Sequence, residues 1–281
     1  MKSIILILLT AIIWPHDHKK EIKITDEIST GGTPKTIVID NIFGEITIKR
    51  SSSSSIKYDV TKTISARNES DLQKGISEIN LKVINRNDSI ILYLAAPFIC
   101  DKWSGCYRQG RWIQREKDDY DFVFDFELEI PANSTLDVQT VDQGNVQITG
   151  IEGLISANNV NGDVTIKGAR AIDEASTVNG DVDVFFKSNP STDGTYKTIN
   201  GTINLYLMDQ MNAKVSAKTM HGNLYSAFDY ESIAPKLKKT TSKSDEATIY
   251  ELDQSFAIEI GQNGPLLSFE TLNGDIYLKR Q

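Results

Sequence analysis

The chain has 281 residues, of which 40% are hydrophobic and 24% charged, with a formal net charge of −8 and a pI near 5.0. That composition is globular rather than disordered, and the length suits one large all-β domain or two small ones. The acidic balance argues against a nucleic-acid partner, because phosphate binding needs a basic face; sugars, proteins and cations remain as ligand classes.

The chain opens MKSIILILLTAIIWPHDHKK, with Lys2 ahead of an apolar run from Ile4 to Trp14. Such a run has the length of a secretory h-region and is too short to span a bilayer comfortably. Residues 1–20 are expected to be an export signal, although no clean small-x-small cleavage site follows Trp14. No Cys stands where a lipid anchor would attach, and no second apolar segment follows. The expected product is exported, periplasmic or at the cell surface, with no integral membrane segment after signal removal.

Residues 21–135 read as an N-terminal β-rich portion. TIVIDNIFGEITIKR predicts two strands around a turn, and Ser51 to Ser55 form a polar loop tip before IKYDVTKTIS. In NESDLQKGISEI, Leu72, Ile76 and Ile79 fall at helical spacing behind Asn68 or Ser70 as N-cap, which predicts a short helix near 69–79. INLKVINRNDSIILYLAAP predicts a hairpin. Next comes ICDKWSGCYRQGRW, which holds both cysteines, Cys100 and Cys106. In an oxidising compartment so close a pair is expected to close a small disulfide loop. Trp103, Tyr107, Arg108, Arg111 and Trp112 crowd the same stretch. Flat rings and cations there suit a sugar or a partner surface; the same rings would equally cover an open sheet end. DFVFDFELEIP then alternates, with Phe122, Phe124, Phe126, Leu128 and Ile130 on one face.

From residue 136 to 281 one short pattern recurs: TVDQGNVQI, NVNGDVTI, TVNGDVDV, TINGTINL, TMHGNLYS and TLNGDIYL, built around Gly144, Gly162, Gly180, Gly201, Gly222 and Gly274. Gly44 in DNIFGEITI is a seventh, isolated copy. The spacings within the main set are 18, 18, 21, 21 and 52. Units of this size stack because one unit cannot bury its own apolar face. Aliphatic residues alternate after each glycine, as in Val164 and Ile166 or Ile203 and Leu205, so short strands with one inward face are expected. The copies read as successive turns of a β-solenoid, five or six deep, without helix. The long last interval holds a polar insertion near 230–250, with Lys236, Lys238, Lys239 and Lys243, read as an exposed hairpin or loop.

Here the residues resemble the bacterial putative-adhesin domain family. FELEIPANSTLDVQTVDQGNVQITGIEG, the V-N-G-D-V turns and the closing LNGDIYLKR carry the likeness, over roughly Ile37 to Arg280. The resemblance implies an all-β, β-solenoid-like fold and a non-catalytic surface or periplasmic role. That family offers no agreed catalytic residues to carry over.

The repeat raises a chemical question of its own. Stacked copies would align Asn161, Asn179 and Asn200 as an amide ladder. Asp163 and Asp181 would then lie about one strand spacing, ~4.8 Å, apart. Calcium bridging such carboxylates is one alternative. A polysaccharide lyase or hydrolase using Asp163, Asp181 or Asp183 is another, with Lys167 as thin support for an acidic sugar. Against both, later copies replace the Asp by Thr202 and Asn223, and His221 sits at an Asn position as a turn residue. The reading is a structural corner, with no metal and no cofactor. The expected function is adhesin-like binding or scaffolding toward a glycan or envelope protein.

Overall fold

The structure is a computed structural model, and it describes residues 18–99, 119–233, 237–241, 248–252 and 256–281. In chain order the strands begin β1 (His18–Ser29), β2 (Thr36–Asp40), β3 (Ile46–Ser51) and β4 (Ser55–Ala66). The helix α1 (Glu69–Glu78) precedes β5 (Asn80–Asn85), β6 (Ser89–Ala95), β7 (Tyr120–Pro131), β8 (Thr135–Gln139) and β9 (Val146–Thr149). Then follow β10 (Leu154–Asn158), β11 (Val164–Ala169), β12 (Ala171–Ser176), β13 (Val182–Phe186), β14 (Gly194–Lys197) and β15 (Ile203–Leu207). The chain closes with β16 (Ala213–His221), β17 (Leu224–Ser226), β18 (Glu231–Ile233), β19 (Leu237–Thr241), β20 (Thr248–Leu252), β21 (Phe256–Ile260), β22 (Leu266–Asn273) and β23 (Ile276–Arg280). The fold is nearly all β, in two large mixed sheets, and α1 is the one helix among the described residues.

Parallel ladders dominate both sheets. In one, β3-β9-β11-β13-β15-β23-β17 run side by side; in the other, β2-β8-β10-β12-β14-β22-β16 do so in matching order. Each corner glycine lies between a strand of the second ladder and one of the first, as Gly162 does between β10 and β11. Antiparallel strands flank the ladders: β4 and β1 beyond β7 in the first sheet, β5 beyond β6 and then β21 and β18 at the two margins of the second. The sheets are therefore mixed, and the molecule is not a closed solenoid.

The alternation of the sequence decides what faces inward. Ile46, Ile48, Val146, Ile148, Val164, Ile166, Val182, Val184, Ile203, Leu205, Ile276 and Leu278 are all buried, and meet Ile37, Ile39, Leu136, Val138, Ile155, Ile172, Tyr196, Leu267 and Phe269 from the other ladder. Together they belong to one cluster running the length of the described chain. Non-directional burial of this kind, at roughly 25 cal/mol per Å² of apolar surface, is the main favourable term. Phe122, Phe124, Phe126, Leu128 and Ile130 of β7 extend the same core. Tyr196 stacks on Phe269 at 5.1 Å, and full burial pushes its phenol far above the ordinary value of 10.0.

Helix α1 has Asn68 as its N-cap, whose side chain accepts from the Asp71 N–H at 2.9 Å. No basic residue stands in its last turn. That place is filled from outside: the Lys62 ammonium, carried by β4, donates to the Ile76 and Ile79 carbonyls. A cation there complements the negative end of the helix dipole. Burial lowers the Lys62 pKa. Leu72 and Gly75 face inward, and a Cβ on Gly75 would meet the Tyr120 ring at 2.7 Å.

One expectation needs amendment. Chain order predicts that the Gly222 corner follows Gly201, with Gly274 outermost. Instead β22 and β23 lie between β14/β15 and β16/β17, so the C-terminal corner separates its two predecessors. The interval of 52 residues is thus an excursion through β18–β21, including the β19–β20 hairpin, followed by a return into the ladder. At the other end of the described chain, β1 begins at His18 and pairs Lys19 and Lys20 with Ser65 and Ile64. The strand therefore starts inside the segment expected to be the export signal. Residues 1–17 lie outside the described residues. Among the described residues no helix is long and apolar enough to cross a membrane.

The corner glycines carry a steric demand beyond backbone conformation. A Cβ on Gly180 would lie 2.3 Å from the Gly162 carbonyl oxygen, although Gly180 itself needs no positive φ. At Gly201, Gly274 and Gly222 the gap to the neighbouring corner's carbonyl oxygen narrows to 1.9, 1.8 and 1.9 Å. Gly180→Ala must push two stacked backbones apart, and is expected to lower unfolding stability by about 1–3 kcal/mol or more. A urea-denaturation midpoint equal to wild type would show that the corners are not packed this closely.

Candidate functional site

Three kinds of link tie the corners together. Three residues before the glycine, Thr177 donates its hydroxyl to the Gly162 carbonyl at 2.8 Å and Thr198 donates to Gly180 at 2.9 Å. Asn159 does the same to Gly144 at 3.0 Å, and Thr219 to Gly274 at 3.3 Å. Thr140 reaches Gly44 at 3.0 Å from four residues before Gly144, the extra residue being absorbed by Gln143 at φ 60°. Immediately before the glycine, the amide ladder runs Asn161, Asn179, Asn200, Asn273, with bonds of 2.8, 2.7 and 2.8 Å. After the glycine, Asp163 accepts from the Asp181 N–H at 2.8 Å, and Asp181 from the Thr202 N–H at 2.7 Å. Asn145 and Asp275 repeat this with the Asp163 and Asn223 N–H groups. These carboxylates satisfy backbone donors that a strand start would otherwise leave unpaired. That is why Asn can replace Asp.

The outward face of the first ladder carries different chemistry. In register across the strands stand Lys49, Thr149, Lys167, Phe185, Tyr206 and Lys279. Phe185 and Tyr206 stack at 4.0 Å with their planes 4° apart. Lys167 lies 5.8 Å from the Phe185 centroid, and Lys279 lies 5.1 Å from Tyr206 and 4.9 Å from Tyr277. Distances of this order are those of cation–π attraction. Tyr277 in turn stacks on Tyr225 of the edge strand at 4.8 Å.

Beside this column, where the strands leave the sheet, Glu152 gathers three cations: Lys187 at 2.7 Å, Arg170 at 2.9 Å and Arg50 at 3.5 Å. The Lys187 hydrogen bond first, then the charges of Arg170, Lys187 and Arg50, hold its carboxyl below the ordinary 4.5. On the opposite corner lies a groove of about 630 Å³ floored by Thr177, Thr198, Thr271 and Thr219. One wall is Val178, Ile199, Leu272 and Met220; the other is Ser176, Lys197, Glu270 and Lys218. Glu270 pairs with Lys218 at 3.5 Å and Lys197 with Glu174 at 3.3 Å, so the charged wall is largely self-neutralised.

The residues expected to bind, Trp103, Tyr107, Arg108, Arg111 and Trp112, and the pair Cys100 and Cys106, lie outside the described residues. Gly44, Gly144, Gly162, Gly180, Gly201, Gly222 and Gly274 share one column of close backbone approaches. His221 sits beside Asn273 in the ladder register, at the outermost corner. Among the described residues, no group of three or more His, Cys, Asp or Glu converges to hold a metal. The Lys49-to-Lys279 column escaped the sequence reading, yet the signal was there. Lys49, Thr149, Lys167, Phe185, Tyr206 and Lys279 each stand five residues after a corner glycine, so aligning the copies on glycine brings them together.

Neither a protein-family model nor a curated protein sequence matches this chain. Among solved structures it is similar to a "putative cell adhesion protein" from Clostridium sporogenes, at 10% identity and TM-score 0.40, over 93% of this chain and 100% of that one. It is also similar to a "putative adhesin" from Bacteroides fragilis, at 9% identity and TM-score 0.36, over 92% and 97%. A third similarity, to a "putative lipid binding protein" from Parabacteroides distasonis, has 11% identity and TM-score 0.29, over 91% and 96%. At such values the functional reading rests on this chain's own residues.

Two expected outcomes follow from the corner chemistry. Thr177→Val removes the donor to the part-buried Gly162 carbonyl while keeping the shape, and is expected to cost about 1–3 kcal/mol. Thr271 is equally buried, but its hydroxyl has no partner among the described residues, so Thr271→Val is expected to be neutral or stabilising. Equal losses in the two variants by chemical denaturation would refute the assignment. For Glu152 the folded-state pKa is depressed, so its contribution is present above the unfolded value near 4.5 and is lost as pH falls through the folded one. The melting-temperature gap between wild type and Glu152→Gln should therefore be constant from about pH 7 to about pH 6 and close toward about pH 3. A gap that widens on acidification would contradict it.

Proposed function

We propose that this chain is an exported, non-catalytic, adhesin-like protein of the bacterial cell envelope, which binds or scaffolds through a β-solenoid-like stack. The seven strand pairs of the two ladders, from β2/β3 to β16/β17, are read as the turns of that stack. Strands from both sides of residue 135 share the two ladders, which supports one continuous unit behind an N-terminal export signal.

The observation that carries the reading is the use already made of the repeat's polar groups. Asp163 and Asp181, the carboxylates an enzyme would draw on, each accept a backbone N–H from the adjacent corner. A carboxylate whose Oδ1 holds the next corner already has a structural use, so the recurrence of Asp in the repeat calls for no catalytic one. What faces solvent is a rigid, register-locked display of side chains, which suits recognition. Residues 100–112, with Trp103, Tyr107, Arg108, Arg111 and Trp112, belong to the same proposal as a further contact surface or a cap.

The test incubates the full exported chain with envelope fragments and soluble polysaccharides. Saturable retention with unchanged polysaccharide size is the expected outcome. Shortened chains, produced by wild type and not by Asp181→Asn, would establish an enzyme instead.

A further inference from the structure

We infer that the outward face of the first ladder binds a linear, carboxylate-bearing polysaccharide along the stacking axis, through Lys49, Lys167 and Lys279 and the flanking Arg170. This deepens the binding role proposed above and rests on it.

Charge distribution is the first reason. The chain as a whole carries −8, yet this strip gathers Lys49, Lys167 and Lys279 in one column, with Arg50, Arg170 and Lys187 along its border. The nearby carboxylates are Glu129 opposite Lys49, Glu127 and Asp183 in the adjacent column, Glu45 on Thr47 and Gln147, Glu152 among the border cations, and Asp209 on Arg280. Asp183 accepts from Asn204 at 2.8 Å. The three column lysines keep no ion pair among the described residues within 4 Å. Local charge of one sign on a protein of the other attracts a matching polyion.

The second reason is order. A free lysine ammonium costs rotamer entropy to immobilise on binding. Here Lys279 is held between Tyr206 and Tyr277, and Lys167 against Phe185. The rings therefore organise cations. Phe185 and Tyr206 already cover each other's inner faces, and the lysines lie over the outer ones. A neutral sugar finds no open ring face in this column, so recognition falls to charge.

Spacing supplies the third reason. Lys49 and Lys167 are two strands apart, about 10 Å, and Lys167 and Lys279 three, about 14 Å, at the ~4.8 Å strand interval. A pyranose ring advances a glycan by nearly one such interval, so carboxylates on alternate or third sugars meet successive lysines. One line of cations matches a linear polymer better than the plane of headgroups on a membrane.

Polygalacturonate is the probe, with its methyl ester, polyglutamate and anionic phospholipid vesicles as comparisons, each titrated against the full chain. Polygalacturonate is expected to bind, with affinity falling roughly tenfold in K167Q/K279Q and falling again with added salt. The methyl ester should not bind. Arg170→Gln, outside the column, provides an independent variant should the double variant lose melting temperature. Unchanged affinity in both variants, or equal binding of the ester, overturns the proposal; so does polyglutamate or vesicle binding of equal strength. Retention on neutral glycans or envelope fragments alone would overturn this inference yet leave the binding function standing. No retention on anything removes both.

Discussion

The closeness of the corners governs this molecule. Where each strand pair turns from one sheet to the other, the carbonyl of one glycine occupies the space in which its neighbour's Cβ would lie. Only a column of residues without side chains permits that approach. Once the corners are so close, polar groups around them fall within bonding reach of the next copy, Thr271 being an exception. Thr, Asn and Asp can then serve as donor, ladder and acceptor, and the register is fixed at a polar edge as firmly as at the apolar core.

That fixed register has a consequence on the outer faces. In a single parallel ladder, residues at one offset from the corner glycine stack at the strand interval. A modest bias at one offset becomes a continuous column, as with Lys49, Lys167, Phe185, Tyr206 and Lys279. The corner spends its polar residues on holding turns together, so the variable outward positions are where chemistry is available. The same register raises the Thr-floored groove on the opposite side, whose charged wall is internally paired and whose apolar wall is the aliphatic residue of each copy.

Much of this was legible in the chain. Glycine copies with alternating aliphatics specify strands and their inward faces, because period two leaves no choice of side. Asn68 and the Leu72 spacing specify α1. The Asn ladder was readable as soon as the copies were taken as stacked, since identical amides at a strand interval must meet. The helix's cation was not identifiable from the local pattern: Lys62 interrupts the inward phase of β4 between Val60 and Ile64, and becomes a C-terminal partner only when β4 packs on α1. Nor was the role of Asp163 and Asp181, for a carboxylate after a glycine has the same appearance whether it holds an ion or a backbone N–H.

By itself, then, the sequence determined the class of fold, the core residues and the glycine corners, all of which follow from local spacing and side-chain periodicity. Tertiary structure alone decided the order of the corners. Chain order places Gly222 beside Gly201, yet β22 and β23 return from the excursion and take that place, because ladder pairing depends on which edge is free when the strand arrives. It likewise decided which cations meet, since Lys49 and Lys279 are 230 residues apart in the chain and lie in one column only through the shared register of the strands between them.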